Sequence, residues 1–353
     1  MGSAHAFLAL DDQPVTVSTA SSADADAWDA FVRSQRDATG YHEWGWRAVF
    51  QRAFGHQTIY LVARARGAIC GVLPLVQINS LLFGRSLTSL PFVNYGGVIA
   101  EDGRVAQALL EQAALLARER RCAHVELRHL ARRFPALPCR QHKVAMTLPL
   151  NGLRWETLDK KVRNQIRKAE KSDLTSETGG GELISDFYAV FARNMRDLGT
   201  PVYSRALFDE VCRAFPRRVR IHVVRYHGVA VAAGVTFTTR TRMEIPWASS
   251  IRDYNHLCPN TLLYWHVLQS AMDRGCELFD LGRSTPGEGT FKFKEQWGAR
   301  AVPLYWEYAL ASGAEPPNTS PDNPKYAAAI EIWKRLPLPI ATRIGPRIVR
   351  GIP

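Results

Sequence analysis

An internal repeat constrains the fold of this chain more than any other feature of the sequence. Residues 62–67 match residues 223–228, and residues 122–127 match residues 276–281, at offsets of 161 and 154 residues. The matches occur in the same order and on the same predicted elements, and small differences in loop length account for the two offsets. The pattern indicates a duplicated unit, so we expect the 353 residues to fold as two related lobes.

Each repeat contains the same order of predicted elements: helices, a hairpin of two strands, a helix and a final strand. Gly67 and Gly228 mark the hairpin turns, and helices over 104–120 and 261–274 precede the final strands. A hairpin is antiparallel, whereas a strand reached through a crossover helix is parallel. The order therefore predicts an α/β fold with mixed sheets flanked by helices.

The repeat divides the chain into four predicted parts. The first lobe spans 14–150, the second lobe spans 181–312, and a basic helical connector over 151–180 lies between them. Residues 313–353 form a linker and a basic, apolar tail. Residues 1–13 are expected to be a disordered start.

The formal net charge of +12 predicts an anionic partner: a nucleic acid, a phosphate-bearing substrate or the cytoplasmic face of a membrane. The sequence has no apolar run of roughly 18 residues and no basic leader before an apolar core, so neither a membrane span nor a signal peptide is predicted. The six cysteines and ten histidines lack metal-ligand spacing. We therefore expect reduced thiols, a cytoplasmic location and no metal.

The connector carries a dense run of basic residues. If it is a helix, Val162, Ile166 and Ala169 share one side, and most of the basic residues form a stripe elsewhere. The stripe contains Lys160, Arg163, Arg167 and Lys171, with Lys168 beside it. Two interpretations remain open: a solvated helix face, or a site for an anion, for which arginine is suited because it binds phosphate in a bidentate manner.

The stretch over 279–298 combines a buried strand, a glycine-rich loop and a run in which aromatic residues alternate with lysines. Loops at the carboxyl ends of strands are common ligand sites in α/β proteins. An ordinary surface loop followed by an amphipathic strand or helix is the alternative.

The tail over 327–353 mixes isoleucines with arginines, and its prolines at 337, 339 and 346 argue against one long helix. This composition suits the membrane interface. Packing back onto the second lobe is the other possibility.

The stretch over 279–298, with Phe293, Lys294 and Trp297, resembles the end of the Fem ligases, which transfer an amino acid from aminoacyl-tRNA to a peptidoglycan precursor. The segment 163–169 is similar to the basic helix that joins the two Fem lobes. Segments 195–203 and 332–337 resemble the FemAB-like proteins that accompany exosortase (PEP-CTERM) and exopolysaccharide systems. The resemblance implies two tandem acetyltransferase-like (GNAT) domains.

The sequence departs from these families in two places. It has no sustained heptads for the coiled-coil arm of some Fem proteins, which puts direct grasping of tRNA in doubt. The glycine loop that holds the pyrophosphate of acetyl-CoA is also missing, since residues 255–260 stand before the second crossover helix and 101–103 before the first. The donor stays open between aminoacyl-tRNA and acyl-CoA, and no tightly bound cofactor is expected.

The resemblance assigns roles to several residues of the second lobe. Lys294 matches the Fem lysine, which implies that its ammonium stabilises the charge that develops on the donor carbonyl. Phe293 and Trp297 would lower the local dielectric and strengthen that contact. Lys292 would share the face of Lys294 if this run is extended, so it is a substitute candidate. An exposed strand lysine is the alternative for Lys294.

Further candidates surround the expected acceptor. Arg283 and Ser284 would contact a substrate phosphate or carboxylate, and Tyr203 with Thr200 would line the acceptor cleft, unless Tyr203 only anchors its turn. Glu244 is a candidate proton acceptor, although ion-paired strand glutamates are commoner. The loop over 94–97 would form a wall of the cleft. The connector residues expected to hold a lipid-linked or nucleotide-linked anionic acceptor are Arg163, Asn164, Arg167 and Lys168.

The sequence thus predicts a Fem-like N-acyltransferase that acts on a cell-envelope or exopolysaccharide precursor, with its chemistry in the second lobe. Its expected partners are an anionic acceptor and charged tRNA, and the tail would place it at the inner face of the membrane. One alternative is an acyl-CoA-dependent N-acetyltransferase of the same pathway. The other is a non-catalytic module that binds anionic lipid-linked sugar or nucleic acid.

Overall fold

Two mixed β-sheets organise the chain in a computed structural model, which describes residues 14–311, 315–317 and 324–352. The predicted disordered start and most of the predicted linker lie outside these residues. The strands of the first sheet, in spatial order, are β1 (Thr16–Thr19), β2 (Gln57–Ala65), β3 (Ala68–Ser80), β4 (Gly84–Thr88), β6 (His124–His129), β15 (Tyr305–Leu310) and β7 (Cys139–Arg140), with β5 (Ile99–Ala100) paired to β3. Those of the second sheet are β14 (Arg300–Pro303), β8 (Val144–Pro149), β13 (Leu278–Ser284), β12 (Arg242–Ser250), β11 (Val229–Thr239), β10 (Val219–Tyr226) and β9 (Leu174–Gly179).

Helices connect the strands and cover the sheets. In the first half they are α1 (Ala25–Ser34), α2 (Trp46–Phe54) and α3 (Gly103–Glu119), and α4 (Lys160–Glu170) is the basic connector helix. In the second half they are α5 (Ile184–Asp197), α6 (Arg205–Ala214), α7 (Pro259–Asp273) and α8 (Gly289–Glu295). The tail contributes α9 (Pro324–Lys334) and α10 (Leu338–Val349). The predicted α/β class with two mixed sheets flanked by helices is confirmed.

The predicted repeat extends to the irregularities of the strands. The register of β2 against β3 shifts between Ala63 and Arg64, and that of β10 against β11 shifts between Val224 and Arg225, which is the same place at an offset of 161 residues. After each hairpin a helix crosses to a parallel strand, so that β4 pairs with β6 and β12 pairs with β13. The duplication therefore reproduces backbone detail as well as element order.

The two halves exchange a strand. β8, from the first half, pairs antiparallel with β13 in the second sheet, and β15, from the second half, pairs antiparallel with β6 in the first sheet. The sheets thus cross the predicted division at residue 150, because β8 belongs to the first predicted lobe by sequence and to the second sheet by pairing. Each sheet is completed by the other half of the chain.

The largest apolar core also joins the lobes. Trp46 of α2 packs against Phe215 and Phe237 of the second half, with ring centroids 5.3 and 6.0 Å apart. Burial of one such aromatic side chain stabilises the fold by about 1.5–3 kcal/mol. These contacts make the lobe interface part of the folded core.

Local structure differs from the sequence-based expectation in three segments. The early acidic residues and later apolar residues of 24–54 predict a helical region, which is two helices in the structure, and a strand-like piece predicted over 96–99 is reduced to β5. The Phe-Lys-Phe-Lys run is helical, because it lies inside α8, and the reading of it as an extended strand is wrong. The tail packs back onto the protein, since a Cβ on Gly345 of α10 would lie only 2.6 Å from the carbonyl oxygen of Val202.

The tail consists of two short helices, as its prolines predict. Pro339 lies in the first turn of α10, where a missing N–H costs little. Trp333, Ala341 and Val349 are buried against the rest of the chain. Within the described residues, no helix combines the length and apolar character that crossing a membrane would require.

Candidate active site

A cavity of about 500 Å³ lies at the end of β12, near the point where this strand stops pairing with β13 in the second sheet. β12 and β13 pair only over Arg242–Glu244 and Leu278–Asp280. Beyond this point β12 bulges at Pro246, which cannot donate to the ladder, and the register of β13 against β8 shifts between Asp280 and Arg283. The cavity is closed by α4, the start of α7, and α8. Its lining includes Lys161, Gln165, Asn194, Ser249, Cys258, Asn260, Tyr264, Thr290, Phe293 and Lys294.

Lys294 enters this cavity from α8 and is 7% exposed. Its Nζ donates hydrogen bonds to the carbonyl oxygens of Gly282 and Arg283, at 3.1 and 3.0 Å. Burial lowers the pKa of Lys294 to about 8, although the nearby Asp280 carboxylate acts in the opposite direction. Two of the three N–H bonds of the ammonium thus donate to carbonyl groups of the bulge in β13. The third N–H bond can donate to a ligand.

Lys292 does not share the position of Lys294. Residues two apart on a helix lie about 200° apart around the axis, so the helical form of the run directs the two lysines to different sides. Lys292 is exposed, whereas Lys294 is buried. The expectation that Lys292 could substitute for Lys294 is therefore wrong.

Aromatic rings enclose the site on the α7 side. Phe293 meets Tyr264 edge to face at 5.1 Å, and Trp297 stacks on Tyr264 at 6.3 Å. Trp297 is buried below the cavity, and Phe293 lines it. Burial raises the pKa of Tyr264 well above its usual value, so its hydroxyl stays neutral. The rings displace water around Lys294, which strengthens any contact that its ammonium makes.

Gly282 is the residue that allows Lys294 to approach β13. Its φ of +81° lies in the left-handed region. A Cβ here would lie 3.3 Å from the carbonyl oxygen of Ile245 and 3.8 Å from Lys294 Nζ. The glycine of the Phe-Asp-Leu-Gly segment therefore shapes the bulge whose carbonyl groups hold the lysine.

A buried ionic network lies directly behind the bulge and spans the two lobes. Asp280 accepts hydrogen bonds from the hydroxyl of Tyr95 and from Nη2 of Arg242, and its Oδ1 accepts one from the Gly282 N–H at 2.8 Å. Arg242 also donates to the Tyr95 hydroxyl. Tyr95 belongs to the loop over 94–97, for which the sequence predicted a wall of the cleft. The loop instead supplies a contact that fixes the strand beneath Lys294.

Glu244 belongs to the same network and is buried on β12. Burial raises its pKa to about 7, opposed by Arg242, whose Nε lies 3.8 Å from Glu244 Oε1. Neither carboxylate oxygen has a hydrogen-bond partner among the described residues. Glu244 is outside the cavity lining, so a role as proton acceptor would require a path that the cavity does not provide.

The connector helix presents a different set of residues to the cavity from the predicted stripe. Lys161 and Gln165 line it, and Val162, Ile166 and Ala169, which share one side as predicted, are buried on the adjacent side of the helix. The sequence feature that could have identified Lys161 and Gln165 is their spacing of four residues, which places them on the same side of a helix.

The predicted anion-binding residues of α4 lie elsewhere. Arg167 is exposed and stacks over Trp155 at 5.3 Å, and Arg163 is half-buried outside the cavity. Asn164 and Lys168 are exposed and line a surface hollow that adjoins the cavity, since Lys161 and Gln165 line both. Of the basic residues of this helix, Lys161 is therefore the one that lines the cavity of Lys294.

The start of α7 completes the cavity. Cys258 precedes the helix in a left-handed conformation, with φ of 60°, and no side chain caps the first turn. The early N–H groups of a helix have no intrahelical partner and attract anions. With Lys161 on the facing helix, this end of the cavity is electropositive.

The corresponding end of the first lobe is more acidic. A cavity of about 620 Å³ lies at the start of α3, and its charged lining residues are the acids Asp37, Glu101 and Asp102 and the arginines Arg36 and Arg133. Asp102 caps the helix by accepting a hydrogen bond from the Val105 N–H at 2.8 Å. The cap and the carboxylates disfavour an anion there, so the electropositive cavity belongs to the second lobe.

The remaining predicted residues gather on the lobe-facing side of β13. The Arg283 guanidinium lies over the Trp306 ring at 5.4 Å, and burial, together with Arg128, lowers its pKa to about 10. Ser284 is buried next to it in sequence. Tyr203 packs against Phe92 and Phe191, each at 5.9 Å.

Thr200 and Tyr203 lie in the loop between α5 and α6, and Thr200 is exposed. These two residues, with Arg283 and Ser284, are outside the lining of the Lys294 cavity. The structure therefore brings Lys294 and Phe293 together and places the other predicted residues around them. Among the residues that the structure describes, no cluster of three or more His, Cys, Asp or Glu is arranged to hold a metal ion.

Comparisons with known proteins agree with this architecture. Residues 158–295 match a family model described as an acetyltransferase (GNAT) domain, and this segment runs from α4 to α8. The chain is similar to the crystal structure of FemX, with a TM-score of 0.65 and 12% identity over 84% of this chain and 97% of that one. No protein of curated function matches the chain by sequence.

Two further solved structures have the same fold. The C-terminal domain of a putative lysylphosphatidylglycerol synthetase from Agrobacterium fabrum has a TM-score of 0.57 and 12% identity over 82% of this chain and 92% of that one. A tandem GNAT protein from the clavulanic acid biosynthesis pathway also has a TM-score of 0.57, with 10% identity over 86% of this chain and all of that one. The chain therefore has a tandem GNAT fold, and the Lys294 cavity lies within the segment that matches the family model.

Proposed function

We propose that this protein is an acyltransferase that moves an acyl or aminoacyl group to an amine, with its chemistry at Lys294. The observation that carries the proposal is the position of this lysine, which is buried in the wall of a cavity near the point where β12 and β13 stop pairing, with two N–H bonds fixed by backbone carbonyl groups. A buried cation held in this way suits the stabilisation of a developing oxyanion. The match of residues 158–295 to an acetyltransferase domain supports the same class of reaction.

The reaction needs an amine, a donor carbonyl and a route for one proton. The amine nitrogen attacks the acyl carbon, and the electron pair of the C=O bond moves to oxygen to give an oxyanion. The third N–H of Lys294 would stabilise that oxyanion. Collapse restores the carbonyl and expels the donor oxygen or sulfur, which takes up the proton that the amine loses. With a pKa of about 8, Lys294 could also relay this proton near neutral pH.

We propose aminoacyl-tRNA as the donor and a phosphate-bearing cell-envelope or exopolysaccharide precursor as the acceptor. Likeness to FemX in fold and to Fem ligases in the Phe293–Lys294 motif supports this donor. The electropositive end of the cavity, at Lys161 and the start of α7, would hold the anionic part of a substrate. The Fem-like proteins of exosortase systems suggest the pathway.

A second donor, acyl-CoA, is favoured by one observation. The uncapped start of α7 lies at the place where a helix N-terminus can bind a pyrophosphate, although the glycines that allow close approach are absent. A non-catalytic binding module is less consistent with the site, because it gives no reason for burying a lysine whose pKa is lowered.

The test compares two lysines that differ in burial and lie two residues apart. Wild-type protein, Lys294→Met and Lys292→Met would be incubated with a charged tRNA pool or acetyl-CoA and amine-bearing envelope precursors, and product would be measured by mass spectrometry. We expect Lys294→Met to lower the transfer rate by about 10²–10³-fold, and Lys292→Met to retain it. Equal activity in all three proteins would refute the assignment. Transfer from only one donor would decide between tRNA and CoA.

A further inference from the structure

The tip of the β3–β4 hairpin exposes two leucines to solvent. Leu81 is fully exposed and Leu82 is 76% exposed. The turn that carries them is ordered, because Ser80 Oγ accepts hydrogen bonds from the N–H groups of Leu82 and Phe83, at 3.2 and 3.1 Å. The hairpin therefore holds adjacent apolar side chains away from the protein.

The helix α10 carries an apolar stripe and a basic stripe outside its docked face. Ala341 and Val349 are buried against the protein. Ile340 and Ile348, eight residues apart on one side of the helix, are 46% and 39% exposed. The exposed arginines next to this stripe are Arg343, Arg347 and Arg350.

The hairpin tip and α10 adjoin each other. Gly351 lies in the turn that follows α10, three residues after Ile348. A Cβ on Gly351 would lie 3.4 Å from Ser80 Oγ, at the base of the hairpin turn. Leu81 and Leu82 thus lie next to the end of α10 that carries Ile348.

We propose that this combined surface docks the protein on an anionic lipid bilayer. This docking surface consists of Leu81, Leu82, Ile340 and Ile348, with Arg343 and Arg347 beside them. Exposed aliphatic side chains suit the acyl boundary of a bilayer, and neighbouring arginines suit anionic headgroups. A second copy of the chain is the weaker occupant, because a two-fold interface would bring the same arginines together.

The surface is independent of the proposed chemistry but close to the lobe interface. α10 packs against the loop that contains Tyr203, through the contact of Gly345 with Val202. In a protein docked in this way, α10 would lie between the bilayer and the loop that contains Tyr203. Retention of a lipid-linked substrate would follow from this placement.

Vesicle binding tests the proposal with the full chain. Co-sedimentation with vesicles of phosphatidylcholine, with and without phosphatidylglycerol, would be measured for wild-type protein, a Leu81→Ser/Leu82→Ser variant and an Arg343→Gln/Arg347→Gln variant. Val229→Ser is the matched control, because Val229 is also an exposed aliphatic residue but lies on the second sheet. We expect binding only to the anionic vesicles, reduced roughly tenfold or more by either double variant and unchanged by the control.

Three results would overturn the proposal: no binding of wild-type protein to anionic vesicles, equal binding of the leucine variant, or equal loss in the control. The exposed positions of these residues make misfolding of the variants improbable as an explanation, and circular dichroism would check it. Sedimentation velocity without lipid distinguishes the competing occupant. A wild-type dimer that becomes monomeric in the leucine variant would assign the surface to self-association and also overturn the proposal.

Discussion

The hydroxyl of Tyr95 donates a hydrogen bond to the carboxylate of Asp280, although the two residues are 185 positions apart in the chain. This contact connects a loop of the first lobe to the strand that carries the candidate site. Asp280 also fixes the Gly282 N–H, and the Gly282 carbonyl oxygen accepts a hydrogen bond from Lys294. The relative position of the lobes is therefore linked to the position of the lysine through three consecutive hydrogen bonds.

Removing the Tyr95 hydroxyl is expected to destabilise the protein. Tyr95→Phe leaves a buried carboxylate with one donor fewer, and a hydrogen bond to a charged group contributes about 1.5–3 kcal/mol to the free energy of unfolding. Tyr60→Phe is the matched control, since Tyr60 is equally buried but its hydroxyl has no partner among the described residues. Urea unfolding should show a loss for Tyr95→Phe and almost none for Tyr60→Phe. Equal losses would mean that the contact with Asp280 contributes little.

The charge of Lys294 predicts opposite effects of pH on activity and on stability. Burial lowers its pKa from 10.5 to about 8, so a transfer rate that requires the ammonium should fall as the pH rises through about 8. Between about 8 and 10.5 the unfolded chain retains a proton that the folded chain has lost, so the free energy of unfolding should increase with pH in this window.

Two variants isolate this contribution from other groups that titrate in the same range. Lys294→Met should remove the part of the pH slope that belongs to Lys294, whereas Lys292→Met should keep it. Denaturant titrations of the three proteins across the window would measure the slopes. A slope that is identical in wild-type protein and Lys294→Met would show that the folded-state pKa of this lysine is not lowered.

Gly282→Ala is expected to cost more than the backbone strain of a left-handed alanine. Such strain alone is worth about 1–2 kcal/mol, and Gly67→Ala measures it, because Gly67 has φ of +80° and open space around its Cβ position. At Gly282, whose φ is +81°, the methyl group would also crowd the Ile245 carbonyl oxygen. We expect a further loss of about 1–3 kcal/mol and a displaced Lys294 with reduced transfer. A thermal or denaturant comparison that found equal losses would contradict the crowding.

Lys161 is expected to contribute to the binding of an anionic substrate. Lys161→Ala should raise the KM or the dissociation constant of the donor or acceptor by about 5–10-fold without changing stability, in the range of one partly screened charge contact. Lys171→Ala is the control, because Lys171 is an exposed lysine just after the same helix and outside the cavity lining. Titration at two salt concentrations would show whether the difference between the variants decreases with screening. An equal effect of both variants would indicate a diffuse field instead of a local contact.

Much of the architecture could be predicted because the relevant signals are local or repeated. The hairpins around Gly67 and Gly228, the crossover helices and the buried side of the connector all follow from short-range patterns. Lys294 was singled out by the resemblance to the Fem ligases, on a stretch where a strand followed by a glycine-rich loop predicts a ligand site. The family model covers 158–295, so it includes this stretch.

The conformation of the Phe-Lys-Phe-Lys run could not be predicted from its own pattern. Alternation of apolar and basic residues is typical of a strand, yet the run is helical in α8. Tertiary packing accounts for this, because Phe293 and Trp297, four residues apart, both contact Tyr264 of α7. A strand would also place these two residues on one face, but roughly 13 Å apart, which is too far to share one tyrosine ring. The last turn of α8 and the turn that follows it bring them close enough.

Local sequence patterns could not predict the Tyr95–Asp280 contact or the exchange of strands either. Nothing in residues 144–149 indicates that their partner strand begins at Leu278, because a strand has the same pattern of apolar residues whichever sheet it joins. Lys161 was missed for a different reason. The sequence-based prediction chose the side of α4 with the most basic residues, which includes Arg163 and Arg167. The cavity instead lies on the side of α4 that is set by its packing against α7.

The exchange of β8 and β15 has a consequence for how the protein is made. The first sheet lacks the strand between β6 and β7 until residue 310 has left the ribosome. The amino-terminal half therefore cannot complete its fold while the rest of the chain is being synthesised, as a separate domain would. Neither half, if expressed alone, would contain all the strands of its own sheet. When the two halves are expressed together as separate chains, they should assemble with both sheets complete. Neither half can complete its sheet alone.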